Sequence, residues 1–185
     1  MTYQRILLCC IIFIGCLSCQ DDANKRIVPK AKKITSAKPL IQHNNTEKET
    51  LSEYGFFKLP LANLEPTDGV VLYDLNSPLF SDYAFKKRFV YLPDSKKINY
   101  KNKGVMDFEN GSVLIKNFYY PKDFRKPEQE KRIIETRLLI KEDDAWKPLN
   151  YIWNKEQTEA TLNYVGKQEL VYWIDNEGAE RSVSY

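Results

Sequence analysis

From residue 51 onwards, the sequence contains no cysteine and no histidine. The four cysteines all stand near the beginning of the chain, as Cys9, Cys10, Cys16 and Cys19. The single histidine is His43. Without a thiol or an imidazole, residues 51–185 lack the nucleophiles and bases of Cys-His and Ser-His-Asp enzymes, and the usual zinc, copper and haem ligands. We therefore expect no enzyme activity and no metal or other cofactor in this chain.

Glycine is also scarce, and the net charge is small. Seven glycines occur in 185 residues, and neither a Walker loop nor a GxGxxG motif is present. The 28 basic and 25 acidic residues leave a net charge of +3. A nucleic-acid-binding domain normally carries a clear basic excess, so we expect no nucleic-acid partner.

Long apolar runs are missing as well. The longest apolar run covers residues 6–14 and follows Arg5. Nine residues are too few for a transmembrane helix, which needs about 20, but they suit the hydrophobic region of a signal peptide. We therefore assign residues 1–18 to an export signal.

The cysteines at the end of this signal resemble a bacterial lipobox, in which a Cys becomes lipid-modified after cleavage. Cys16 follows Gly15, and Cys19 follows Ser18. We favour Cys19 as the lipidation site, because the polar chain begins at residue 20. This predicts a lipoprotein of the cell envelope of a Gram-negative bacterium. The N-terminal lipid would anchor the protein to the membrane, at the outer membrane or the periplasmic face, and surface exposure is one alternative.

Residues 19–50 have the composition of a disordered tether. They are rich in Lys, Asn, Thr and Glu, and they include Pro29 and Pro39. Such a segment buries too little apolar surface to offset the entropy of ordering it. The isolated His43 lies here and is not expected to act as a ligand or a base. A β-rich domain would follow over residues 51–185.

One short helix and a series of strands are predicted in this domain. Thr50 and Glu53 match a capping box, and Gly55 falls where a helix C-cap is expected, so a helix is predicted near residues 51–54. Segments rich in β-branched and aromatic residues predict strands at 70–73, 85–92, 113–120, 132–140, 146–153, 159–164, 169–174 and 181–185. The fold class is therefore all-β, as an antiparallel β-sandwich or barrel.

Two of these strands carry charged residues at alternating positions. One face of the strand at 113–120 presents Leu114, Lys116, Phe118 and Tyr120. One face of the strand at 132–140 presents Ile134, Thr136, Leu138 and Ile140, and the other presents Glu135 and Arg137. If the strands pair, Lys116, Glu135 and Arg137 form a cross-strand charge cluster. That cluster is either a solvated sheet face or a partly buried network at a ligand or partner surface.

Other patterns permit weaker hypotheses. Trp146, Trp153 and Trp173 suit either the core or an aromatic platform of a carbohydrate-binding module. The stretches Asp74-Leu75-Asn76 and Glu142-Asp143-Asp144 offer oxygen ligands for calcium, although neither has a defined ligand spacing. A carboxylate pair for glycoside hydrolysis is not visible in a sequence.

Four segments in order resemble a known family. They are LNSPLFSDYAFKKRFVYLP at 75–93, GSVLIKNF at 111–118, IETRLL at 134–139 and YIWN at 151–154. The series resembles the N-terminal β-rich region of exported bacterial proteins of a c-type cytochrome family, whose members carry haem c in a later CxxCH segment.

The resemblance implies a role in envelope electron transfer, with a cytochrome or an oxidoreductase as partner. No CxxCH occurs in this sequence. We therefore expect an accessory or truncated member of that family, with a non-catalytic β-domain.

Overall fold

A computed structural model describes residues 47–94, 96–143 and 145–185. The predicted signal peptide, Cys19, His43 and nearly all of the predicted tether lie outside the described residues. The strands in the described ranges are β1 (Val70–Tyr73), β2 (Phe85–Tyr91), β3 (Ile98–Asn99), β4 (Asp107–Phe108), β5 (Val113–Pro121), β6 (Lys131–Glu142), β7 (Ala145–Trp153), β8 (Ala160–Leu162), β9 (Leu170–Ile174) and β10 (Glu180–Ser184). Two short 3₁₀ helices, Ser52–Tyr54 and Leu61–Asn63, precede them.

Six of the strands form one antiparallel sheet in the order β1-β2-β5-β6-β7-β8. The hairpins β9–β10 and β3–β4 form two smaller sheets. The predicted all-β antiparallel fold is confirmed, and the eight predicted strands agree with the observed bounds to within two residues at each end. The two-residue strands β3 and β4 were not predicted, since they are too short to show a pattern.

The inner face of the six-stranded sheet carries the main hydrophobic core. Its fully buried side chains include Phe89, Ile115, Leu138 and Tyr151. The segment before β1 covers this face with Leu51, Tyr54, Phe56, Phe57, Leu61 and Leu64. Burying each such side chain contributes about 1.5–3 kcal/mol, so this layer holds the N-terminal segment on the sheet.

The predicted helix near residues 51–54 is a single 3₁₀ turn. Gly55 ends it as expected, with φ at 68° and its N–H donated to Ser52 O. Glu53 Oε1 accepts the Thr50 N–H at 3.2 Å, which is one half of the predicted capping box. The other half is not formed, because the Thr50 hydroxyl donates to Glu53 Oε1 at 3.0 Å instead of accepting an amide. The turn is only three residues long.

The folded domain includes residues 47–50, which the sequence assigned to the tether. Glu49 O accepts the N–H of Leu162, at the edge of β8. Lys48 O accepts the Tyr151 hydroxyl at 2.8 Å, and Lys48 N donates to the Tyr54 hydroxyl at 3.1 Å. The domain therefore begins before residue 51, because the backbone of this segment completes the sheet edge.

A β-bulge changes the alternation predicted for β6. The register with β5 shifts between Phe118 and Tyr119, which leaves Ile134 unpaired. Ile133 then joins the inner core, and Ile134 packs on the outer face with Phe118. The sequence predicted that Ile134 shares a face with Thr136, Leu138 and Ile140, and this prediction is wrong for Ile134. A bulge interrupts the alternation of side chains, so two successive residues can lie on the same face.

The β9–β10 hairpin covers one half of the outer face. Val171 and Trp173 of β9 pack on Phe118, Tyr120 and Ile134. Trp173 lies 5.5 Å from Tyr120 between ring centroids. The resulting second core is sandwich-like, and it leaves the other half of the outer face open.

Candidate functional site

Three basic residues lie side by side on the open half of the outer face. Arg88 of β2 is directly opposite Lys116 of β5, and Lys116 is directly opposite Arg137 of β6. Tyr73 of β1 pairs with Arg88, and Asn150 of β7 pairs with Arg137. Directly opposed residues share a face, with Cβ atoms about 4.5–5.5 Å apart. We call Arg88, Lys116 and Arg137 the basic row.

Like charges in this arrangement repel one another. The pKa of the Lys116 ammonium is held below its usual range, first by partial burial and then by Arg88, Lys86 and Arg137, while Glu135 opposes the shift. Opposed like charges destabilise a sheet. The basic row therefore has a cost in folding free energy.

The two arginines of the row have acidic partners. Arg88 Nη1 lies 3.0 Å from Asp74 Oδ1, although Arg88 is 5% exposed and Asp74 is 84% exposed. Arg137 Nη2 lies 2.5 Å from Glu135 Oε1. Within the described part of the chain, the Lys116 ammonium has no hydrogen-bond or ion-pair partner. The middle of the row is therefore the uncompensated charge.

Phe118 and Glu135 hold the row in place from one side. Lys116 Nζ lies 4.7 Å and Arg137 Cζ lies 4.8 Å from the centroid of the Phe118 ring. Such cation–π contacts contribute about 0.5–1 kcal/mol at exposed sites. Glu135 is buried and also accepts the Tyr185 hydroxyl at 2.7 Å. The carboxylate is thus fixed between Arg137 and the residue after β10.

A cavity of about 390 Å³ opens beside Lys116 and Arg137. Its side-chain lining on the outer face includes Tyr73, Leu114, Leu139, Pro148 and Asn150. No carboxylate of the described residues lines this cavity. It is therefore a positively charged pocket with an apolar wall.

One polar atom in the wall of this cavity is left without a partner. Asn150 Oδ1 is buried and makes no hydrogen bond within the described structure. Buried polar atoms are nearly always hydrogen-bonded, and an orphan costs about 1–3 kcal/mol. The wall of the cavity therefore contains a buried acceptor that lacks a partner, and Lys116 lies beside it.

The structure brings together the three residues singled out from the sequence. Lys116, Glu135 and Arg137 lie on one face around Phe118, as a partly buried network. Their role as an interaction surface stays a prediction. Sequence reasoning missed Arg88 and Asn150, because the register of β2 on β5 and of β7 on β6 is not encoded in either strand alone.

The three tryptophans have different environments. Trp153 is buried in the inner core, and Trp173 is buried beneath the β9–β10 hairpin. Trp146 is half-buried against Phe108. The rings therefore do not meet in one exposed platform.

The acidic stretches considered for calcium lie apart. Asp74 pairs with Arg88, and Asp143 is in the β6–β7 turn with φ at 42°. In the described ranges, no three His, Cys, Asp or Glu side chains cluster as a metal-binding group. Within the same ranges, no helix is both long and apolar enough to cross a bilayer.

Comparison with known proteins gave no relatives. No family model, no curated protein and no solved structure matches this chain.

Proposed function

We propose that this protein is a lipid-anchored envelope lipoprotein whose β-domain docks to a partner through the basic row. The partner would be an acidic surface of an envelope cytochrome or oxidoreductase. The proposal is carried by the alignment of three cations on one sheet face. Arg88 is buried, but Lys116 lacks an ion-pair partner and Arg137 is exposed. Complementary charge across an interface steers association and fixes orientation, which is the role we assign to the row.

The chain's own residues do not fit a covalently bound haem. Residues 51–185 contain no thiol to form a thioether bond and no imidazole to ligate iron. Any haem in the proposed electron-transfer assembly would therefore belong to the partner. In this proposal, the chain is an accessory member of the c-type cytochrome family, with a docking role.

Membrane attachment would come from lipidation of Cys19. A single acyl chain holds a protein only weakly, whereas more than one gives stable anchoring. We expect Cys19→Ser to move the protein from the membrane to the soluble fraction and to remove labelled palmitate. Cys16→Ser is the matched control and should leave both unchanged. Loss of the label from Cys16→Ser instead would contradict the assignment of Cys19.

Docking can be tested by co-purification of the full chain from membranes of the native host. We expect a haem-staining protein to be retained at low salt and released at about 0.5 M NaCl, since screening shortens the reach of surface charges. The double variant Lys116→Gln/Arg137→Gln should no longer retain the haem-staining protein. Lys122→Gln/Lys155→Gln removes the same charge from exposed sites and should retain it. Equal retention by both variants would contradict docking through the row.

A further inference from the structure

We propose that the cavity beside Lys116 and Arg137 binds a small organic carboxylate. This inference goes beyond docking to a protein, since a free acid can occupy the cavity without a protein partner. The carboxylate would lie against the Lys116 ammonium, and the apolar body of the acid would lie on Leu114, Leu139 and Pro148.

The charge of the ligand follows from the row. Asp74 and Glu135 pair with Arg88 and Arg137 respectively, so two of the three cations are compensated by the protein itself. The charge at Lys116 is left over, and a ligand carrying one negative charge would match it. Because the cavity lining contains no carboxylate among the described residues, an anion entering it meets only favourable charge.

The carboxylate group is favoured by geometry. An arginine guanidinium offers several N–H donors in a planar fork, and Arg137 uses Nη2 for Glu135. A planar carboxylate can accept from the remaining donors of Arg137 while its second oxygen pairs with Lys116. Both side chains line the cavity, and each contacts the Phe118 ring, which restricts where its charged end can lie.

The rest of the ligand follows from the cavity wall. Leu139 is 39% exposed and faces open space beside Pro148, so an apolar body would cover surface that now faces water. The volume of about 390 Å³ lies within the range of small-molecule sites. An aliphatic acid of about six carbons therefore fits this cavity.

We would test this inference by calorimetric titration of the full chain in detergent with hexanoate and with hexanamide. Hexanoate should bind at least tenfold more tightly than hexanamide, because only the acid carries charge. Sulfate at the same ionic strength should bind more weakly than hexanoate, because it leaves the apolar wall uncovered.

Two variants locate the binding. Lys116→Met should weaken hexanoate at least tenfold, and the control Lys155→Met, which removes an exposed charge from the β7–β8 loop, should leave it unchanged. Circular dichroism melting of both variants checks that they are folded. Equal affinity for hexanoate and hexanamide, or for the two variants, would overturn the inference. Docking of the protein partner is measured separately, by co-purification. The two proposals are therefore tested by different experiments, and either can be contradicted without the other.

Discussion

Lys116 is the residue on which the account of the outer face depends. It lies between two arginines on neighbouring strands, and within the described structure its ammonium has no acidic partner. Its pKa is lowered first by burial and then by Arg88, Lys86 and Arg137, against the opposing effect of Glu135. Residues that break a local rule of sheet stability often belong to functional sites.

Removing this charge should stabilise the fold. We expect Lys116→Met to raise the free energy of unfolding in urea by about 0.5–1 kcal/mol at pH 7, because it ends the repulsion between opposed cations while the Met thioether replaces the ammonium at the Phe118 ring. A depressed folded-state pKa means that the native state holds the proton less tightly than the unfolded chain. The advantage of the variant should therefore be full at neutral pH and disappear as pH rises to the usual Lys value of 10.5. A variant less stable than the parent would contradict the repulsion, while Lys155→Met should stay within about 0.5 kcal/mol.

Tyr185 fixes the buried carboxylate of Glu135. Its hydroxyl donates to Glu135 Oε1 at 2.7 Å, and burial followed by this contact raises the pKa of Tyr185 well above its usual value. Tyr185→Phe should lower the free energy of unfolding by about 1–2 kcal/mol, since a buried acceptor loses a donor. Tyr172→Phe, on the same hairpin but exposed, is the control and should change it little. Equal effects of the two changes would remove the structural role given to Tyr185.

At the scale of elements, a buried chain of hydrogen bonds ties four adjacent strands together beneath the basic row. Trp153 Nε1 of β7 donates to Thr136 Oγ1 of β6 at 2.9 Å. The Thr136 hydroxyl donates to Asn117 Oδ1 of β5 at 2.6 Å, and Asn117 Nδ2 donates to Lys87 O of β2 at 3.2 Å. This series of hydrogen bonds crosses the inner face, so it holds β2, β5, β6 and β7 in register.

Thr136→Val keeps the shape of this side chain but removes its hydroxyl. The change should destabilise the protein by about 2–4 kcal/mol, because the buried Trp153 N–H and Asn117 Oδ1 both lose their partner. Thr161→Val, at an exposed position of β8, should cost less than about 0.5 kcal/mol. Urea unfolding followed by tryptophan fluorescence measures both. A nearly neutral Thr136→Val would show that the chain of bonds is not needed for the register.

Local composition made the strands predictable, and pairing between strands decided the rest. The segments now seen as β5 and β6 alternate clearly in sequence, so Lys116, Glu135 and Arg137 could be placed on one face. The bulge at Ile134 could not be predicted, because it arises from the register with Phe118. Arg88 joined the site for the same reason, since only the pairing of β2 with β5 puts it opposite Lys116.

At the scale of the whole described domain, the two faces of one sheet have different roles. The inner face is apolar and is covered by the segment that precedes β1. The outer face is half covered by the β9–β10 hairpin, and its open half presents the basic row and the cavity. Stability thus rests on the inner face and the hairpin, which leaves the open half free to keep an unfavourable arrangement of charges.

The most direct test of this account is the titration of the Lys116 amine itself. The full chain, reductively dimethylated with ¹³C and assigned with Lys116→Met, would be titrated by NMR with and without hexanoate. We predict that the pKa of Lys116 lies below the usual lysine value of 10.5 and rises when hexanoate is added, since a bound anion favours the charged amine. A Lys116 pKa at the usual lysine value, unchanged by hexanoate, would contradict both the uncompensated charge and the site built on it.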